Sequence, residues 1–272
     1  MKGAASGRPR SYRPSNAFEG PRPEPTNRLV AGIQPVRECV RVRSKAIERL
    51  VLTASDSPTL AALERFARDQ GVARVDRLSR GEMDSLAQGA QHQGAIAFAP
   101  FLELASWSEV VERPGLLAIA LDQIQDPQNF GAVIRSAVAT GGAAVLWGEH
   151  ASAPLGTATF RASAGAIEHA TLCRVPALKD ALREARERGV RVVGLAAHAD
   201  KRLSEIDLTG PTVIVLGNEA SGLQPAVRRG CTELAAVVRP HLLDSLNASV
   251  AAAIALYEAE KQREVRAVSG NP

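Results

Sequence analysis

Cysteine is sparse: Cys39, Cys173 and Cys231 are scattered over 272 residues, odd in number and without metal-ligand spacing. That argues against a disulfide-stapled scaffold and against a zinc site, and it fits a reducing cytosol. Long apolar runs are missing too. None reaches the about 18 residues that suggest a membrane span, and the opening MKGAASGRPRSYRPS lacks the apolar stretch of a secretory signal. The expected location is therefore cytoplasmic. Acidic charge is short in one place only. Residues 1–50 carry Lys2, Arg8, Arg10, Arg13, Arg22, Arg28, Arg37, Arg41, Arg43, Lys45 and Arg49 against Glu19, Glu24, Glu38 and Glu48, within a net charge of +4 for the whole chain. The rest is slightly acidic. A basic arm on a near-neutral body suggests a polyanion partner, RNA or DNA, or else a solubilising tail.

The chain has room for one large domain or two modest ones, and its 45% hydrophobic and 23% charged residues are ordinary for a globular protein. Residues 1–28, rich in Gly, Pro, Ser and Arg, are expected to be a disordered basic arm. Structure is expected from Leu29, with Pro35 in the first turn of a helix running to about Arg43. A strand over Ile47–Thr53, a helix over Pro58–Gln70, a short strand within Gly71–Leu78, a helix over Gly81–Gln88 and a strand over Ala95–Ala99 complete a small α/β module, residues 29–100. Residues 101–114 read as a connection. From Gly115 to Arg266, strands at Leu116–Asp122, Ala143–Trp147, Leu172–Val175, Val190–Ala196, Thr212–Leu216 and Leu234–Val238 alternate with helices over Asn129–Thr140, Thr157–Ala166, Leu178–Arg188 and Gln224–Arg229. Alternation of this kind predicts α/β architecture, a parallel sheet covered by helices on both faces. A last helix, Asn247–Arg266, carries Val250, Ile254 and Tyr257 at helical spacing and is expected to turn them inward. Residues 267–272 form a tail.

Three loops carry chemistry. In the first, the bend at Asp126-Pro127 leads to Asn129, placed as a helix cap; Arg135 is the one charge among Val133, Ile134, Ala137 and Val138, and Gly141-Gly142 end the helix. In the second, the strand Thr212–Leu216 runs into Gly217-Asn218-Glu219-Ala220-Ser221-Gly222. This loop lacks the Lys-Ser/Thr of a phosphate-binding loop, and Glu219 would repel a phosphate, so a positively charged ligand fits better. In the third, Ser245-Leu246-Asn247-Ala248-Ser249 opens the last helix, which Ser or Asn is expected to cap. Each loop alone is open to a purely structural reading.

Together, Asp-Pro-x-Asn-x-Gly-x-x-x-Arg, Gly-Asn-Glu-x-x-Gly-Leu and Ser-Leu-Asn-x-Ser-x-Ala, in this order, resemble the SpoU (TrmH) family of the SPOUT superfamily. These are S-adenosylmethionine-dependent RNA ribose 2′-O-methyltransferases. Val30-Ala31-Gly32-Ile33-Gln34-Pro35-Val36-Arg37-Glu38 and His92-Gln93-Gly94-Ala95-Ile96-Ala97 are similar to the family's N-terminal RNA-binding domain, itself similar to ribosomal protein L30e. The resemblance implies a C-terminal SPOUT domain with a deep trefoil knot, a homodimer, and a guanosine of large-subunit 23S ribosomal RNA as acceptor. It implies a catalytic set of Arg135, Asn129, Glu219, Ser245 and Asn247. Cofactor contacts are implied for Leu216, Gly217, Asn218, Glu219, Val238, Arg239, Leu246, Asn247 and Ala248, with no metal. The segment Arg239-Pro240-His241-Leu242-Leu243-Asp244 is shorter than the family's and begins with Arg in place of an apolar residue, so one wall of the cofactor site is expected to differ. Two other readings stay open: the same chemistry on tRNA or on the thiostrepton-resistance type of ribosomal site, and a non-catalytic RNA-binding or ribosome assembly factor.

Overall fold

The apolar runs gather into two sheets in the computed structural model, which describes residues 27–87, 89–238 and 246–270. Most of the basic arm therefore lies outside the described residues. The first sheet holds β1 (Asn27–Ala31), β2 (Arg49–Thr53), β3 (Val75–Leu78) and β4 (Ala95–Pro100) in the order β1-β4-β2-β3. It is accompanied by α1 (Ile33–Arg43), α2 (Pro58–Asp69) and α3 (Arg80–Ala87). Strand alternation divides its residues between two faces. Leu50, Leu52, Ala95 and Ala97 pack with Val36, Val40, Leu60 and Leu63 of α1 and α2, while Val51 and Ile96 pack with Met83 and Ala87 of α3. β1 begins two residues earlier than the sequence pattern suggests, with Asn27 and Arg28 paired to Pro100 and Ala99. Arg28, counted above with the arm, is a strand residue.

The second sheet is built from β5 (Leu117–Leu121), β6 (Ala144–Gly148), β7 (Leu172–Val175), β8 (Arg191–Leu195), β9 (Lys201–Arg202), β10 (Thr212–Leu216) and β11 (Glu233–Ala236). Their order is β7-β6-β5-β10-β8-β11-β9, and every pairing is parallel. One face is covered by α4 (Trp107–Val110), which arises within the expected connection, by α7 (Leu178–Glu187) and by α8 (Pro225–Gly230). On the other lie α5 (Pro127–Ala139), α6 (Thr157–Ala162) and α9 (Ala248–Val268). Burial on both faces explains why β5 and β10 read as unbroken apolar runs. β5 and β10 are neighbours in register, Leu121 beside Leu216. The chain leaves β5 toward β6 and reaches β10 from β8 and β9 on the other side, so the carboxyl ends of β5 and β10 mark a topological switch, where open parallel sheets bind ligands. No helix among the described residues is long and apolar enough to cross a membrane.

The last helix corrects one expectation. Val250, Ile254 and Tyr257 do not turn inward; they are 46%, 38% and 62% exposed. The buried stripe is Ala248, Ala252, Ala255, Leu256 and Ala259. Each exposed residue sits two positions beyond a buried alanine, about 200° around the helix. Alanines let α9 approach the sheet closely, and the larger side chains are left on the outer surface.

Candidate active site

The first loop leaves β5 at Asp122 and re-enters regular structure at α5. The cap of α5 is Asp126 rather than Asn129: its carboxylate accepts from the backbone N–H of Gln128 at 3.1 Å and of Asn129 at 3.2 Å. Pro127 sets this register, because proline fits the first helical position and places the residue before it in extended backbone. Asn129 already lies inside the helix, and its side-chain amide is released for other work. It is buried, at 8% exposed. Its Nδ2 donates to Glu219 Oε1, and its Oδ1 accepts from Asn247 Nδ2 at 3.1 Å.

The second loop is a closed hairpin on the end of β10. Asn218 N–H donates to Gly222 O at 3.0 Å and Gly222 N–H to Asn218 O at 2.9 Å. Asn218 Oδ1 accepts from the N–H groups of Ala220 and Ser221 at 2.9 and 3.3 Å, while its Nδ2 donates to Gln123 O at 2.9 Å. The Asn218 side chain is thus consumed in shaping the loop and tying it to the first one. A second tie comes from Asp122, whose Oδ2 accepts from Gln224 N–H at 2.6 Å. Burial pushes the Asp122 carboxyl above the usual range, and that hydrogen bond pulls it back. Gly217 is needed for space: a Cβ there would lie 2.4 Å from the carbonyl carbon of Gly222.

The third loop supplies Asn247, which both caps α9 and joins the cluster. Its Oδ1 accepts from Ser249 N–H at 2.9 Å and Val250 N–H at 3.3 Å, satisfying two otherwise unpaired helix donors. Its Nδ2, besides bonding Asn129, donates to Glu219 Oε1 at 3.3 Å. Three loops spread over 118 residues of sequence thereby converge on one carboxylate, with two amides aimed at it. Leu216 and Ala248 are buried beneath, and Val238 and Leu246 stay exposed on the same edge of the sheet. Arg239 and Ser245 lie outside the described residues.

Arg135 is not part of this cluster. It lies on the exposed flank of α5, and its side chain makes no hydrogen bond or ion pair with the described residues. Six positions after Asn129, it stands about 9 Å farther along the helix axis and on another face. Sequence reading missed Asp122, Gln123 and Asp126 as supports of the site. A carboxylate ending an apolar strand, and an Asp placed directly before a helix-starting proline, were the available signals. A separate cleft of about 250 Å³ lies at the opposite end of β5. There Arg263 donates to the carbonyls of Gly115, Leu116, Leu208 and Gly210, as a structural staple.

Known proteins resemble this chain over both of its modules. A model of the SpoU rRNA methylase family matches residues 116–257, and one of the RNA 2′-O ribose methyltransferase substrate-binding domain matches residues 29–105. The chain is 36% identical over 242 residues to an uncharacterised tRNA/rRNA methyltransferase of Mycolicibacterium vanbaalenii, covering 86% of this chain and 76% of the relative. The SpoU methyltransferase AviRb from Streptomyces viridochromogenes, solved with AdoMet, superposes with a TM-score of 0.72 at 26% identity, covering 88% of this chain and 92% of its own. A TrmH/SpoU tRNA-modifying enzyme of A. aeolicus reaches a TM-score of 0.50 at 28% identity, covering 61% of this chain and 85% of its own.

Proposed function

This chain belongs to the SpoU family of RNA ribose 2′-O-methyltransferases, which use S-adenosylmethionine, and we propose that its acceptor is a guanosine ribose of 23S ribosomal RNA. Residues 29–100 serve as the RNA-binding module, 101–114 as the connection and 115–266 as the methyltransferase domain. The observation that carries the site assignment is the bonded set Asn129, Glu219 and Asn247 at the switch point of the sheet. The rRNA reading is supported by the family description and by the separate substrate-binding module. tRNA is the second reading, supported by the similarity to the A. aeolicus enzyme.

The residues fit the cofactor by the chemistry of their groups. The hairpin offers main-chain donors and acceptors, Leu216, Val238, Leu246 and Ala248 offer apolar surface, and Glu219 offers negative charge to a cationic ligand. When bound, S-adenosylmethionine supplies a methyl group on a sulfonium, which needs little activation. The protein must align the ribose hydroxyl and stabilise the charge that its oxygen develops. Asn129 and Asn247 hold Glu219 in one rotamer facing that reaction. Arg135, which lies outside the cluster within one chain, stabilises the developing charge from a second copy in the dimer described below; a guanidinium carries donors and no acceptor, so water or an RNA phosphate takes the proton. This reading includes a trefoil knot through the loops after β10 and β11. Residues 239–245, which follow β11, lie outside the described residues, so Arg239 and Ser245 are proposed contacts.

A homodimer is part of the same proposal. α5 packs beside α9, and a second copy on the exposed face of Val250, Ile254 and Tyr257 would lie near the flank bearing Arg135. Ile254→Asp combined with Tyr257→Asp should convert a dimer to monomer by light scattering while the helix content is kept. A parent chain that is already monomeric would refute this interface.

The experiment that tests the function maps 2′-O-methyl groups in RNA from cells lacking the protein. Loss at one 23S guanosine is the expected result. Loss at a tRNA position instead would establish the second reading, and no loss at any position would leave a binding factor without catalysis.

A further inference from the structure

Arg28 and Glu168, 140 residues apart, meet in the interior between the two modules with side chains 4% and 1% exposed. Arg28 Nη2 donates to both Glu168 oxygens at 2.7 and 2.6 Å, and its Nε donates to Pro100 O at 2.9 Å. Its guanidinium carbon lies 5.1 Å from the centroid of the Phe160 ring, within range of a cation–π contact. Arg43, at the end of α1, adds a bond from Nε to Glu168 Oε2 at 3.0 Å. Alongside, Glu38 of α1 shares a 3.0 Å hydrogen bond with His169 Nε2. At Gly165 (φ +87°) a Cβ would come within 2.8 Å of Glu38 Cβ and 3.0 Å of Pro35 Cα, so the turn bearing Glu168 touches α1 backbone to backbone.

The other side of the same segment presses on the catalytic helix. A Cβ at Gly131 of α5 would lie 2.5 Å from Thr159 O, 2.5 Å from Ala162 Cβ and 3.0 Å from Ser163 N. Gly131 is two residues beyond Asn129. A continuous packed path therefore runs from β1 and α1, through residues 159–168, to the helix that places Asn129.

A buried ion pair adds little net stability over an apolar pair of the same volume, but it tolerates few geometries once formed. Domains joined by a short connection move relative to each other by default. We infer that Glu168 is a positioning residue: it locks the RNA-binding module onto the methyltransferase domain in one orientation, so that RNA held by the first reaches the three-loop site in register. The lock is a property of the fold; its effect on methylation rests on the reading given above.

The test uses the full chain with nitroxide labels at Asp69→Cys on α2 and Glu187→Cys on α7, both exposed positions. Cys39 and Cys173 are buried, and the partly exposed Cys231 is replaced by Ser in every labelled variant. Diluted with unlabelled chain, the parent should give one narrow distance distribution by double electron–electron resonance, and Glu168→Gln should broaden it. In the same variant, S-adenosylmethionine affinity should be unchanged, and kcat/KM on a structured ribosomal RNA should fall by about tenfold or more, as misplacement of a substrate does. Transfer to a short RNA that contacts only the methyltransferase domain should not change. If Glu168→Gln fails to fold, Arg43→Ala carries the same comparison with a smaller broadening. An unchanged distribution overturns the lock, and equal losses on both RNAs overturn the positioning role. A parent that methylates no RNA overturns the functional reading, while the distance measurement still decides the lock.

Discussion

Gly217→Ala is expected to abolish S-adenosylmethionine binding while leaving both sheets folded. The position is constrained by space. An added Cβ would meet the carbonyl carbon of Gly222 at 2.4 Å, its oxygen at 2.6 Å and the nitrogen of Leu223 at 2.6 Å. All three are backbone atoms, so no side-chain rotation relieves the clash. The hairpin must open, breaking the pair of hydrogen bonds between Asn218 and Gly222. Overpacking of this kind costs about 1–3 kcal/mol in a core; here the loop is exposed, so it moves and the fold survives. The displacement carries Glu219 away from Asn129 and Asn247. Calorimetry should show no heat with cofactor or its demethylated product, at unchanged circular dichroism. An alanine variant binding with parental affinity would mean that this hairpin does not hold the cofactor.

Arg135→Ala should have the opposite signature, intact cofactor binding with lost chemistry. If the guanidinium stabilises charge at the ribose oxygen, its contribution is made in the transition state. Single-turnover methyl transfer should fall about 10²-fold or more, the scale of removing one oxyanion donor. Arg135→Lys should restore only part, since an ammonium lacks the planar fork. The exposed setting of Arg135 makes this a sharp test. A surface residue with no role would leave the rate unchanged, and its removal leaves the buried side of α5, including Phe130, Val133 and Ile134, untouched.

The sheets were legible in the sequence because parallel strands buried on both faces are apolar nearly throughout, as Leu117–Leu121 and Val213–Leu216 are. The meeting of the three loops was legible only as a resemblance, since nothing local in Asn129 or Asn247 says that they face each other across 118 residues. Two errors have a common origin. Asn129 read as a cap because asparagine favours caps, yet Pro127 had already fixed the helix start one residue after Asp126. Val250, Ile254 and Tyr257 read as an inward face because they are large and apolar, yet the close approach of α9 selected its alanines. In both, local propensity was overridden by a neighbour that set the register. Arg28 and Glu168 were invisible for a different reason: a salt bridge between residues so distant has no periodicity to betray it.

The central claim is that the three converging loops transfer a methyl group to a ribose hydroxyl. Incubating the full chain with S-adenosylmethionine carrying a deuterated methyl and with ribosomal RNA lacking the modification, then digesting to nucleosides for mass spectrometry, tests it directly. The account predicts the heavy methyl on the ribose of a single nucleoside, guanosine, and its loss in Arg135→Ala. Heavy methyl found on a base, or none on any nucleoside while the cofactor still binds, would contradict it.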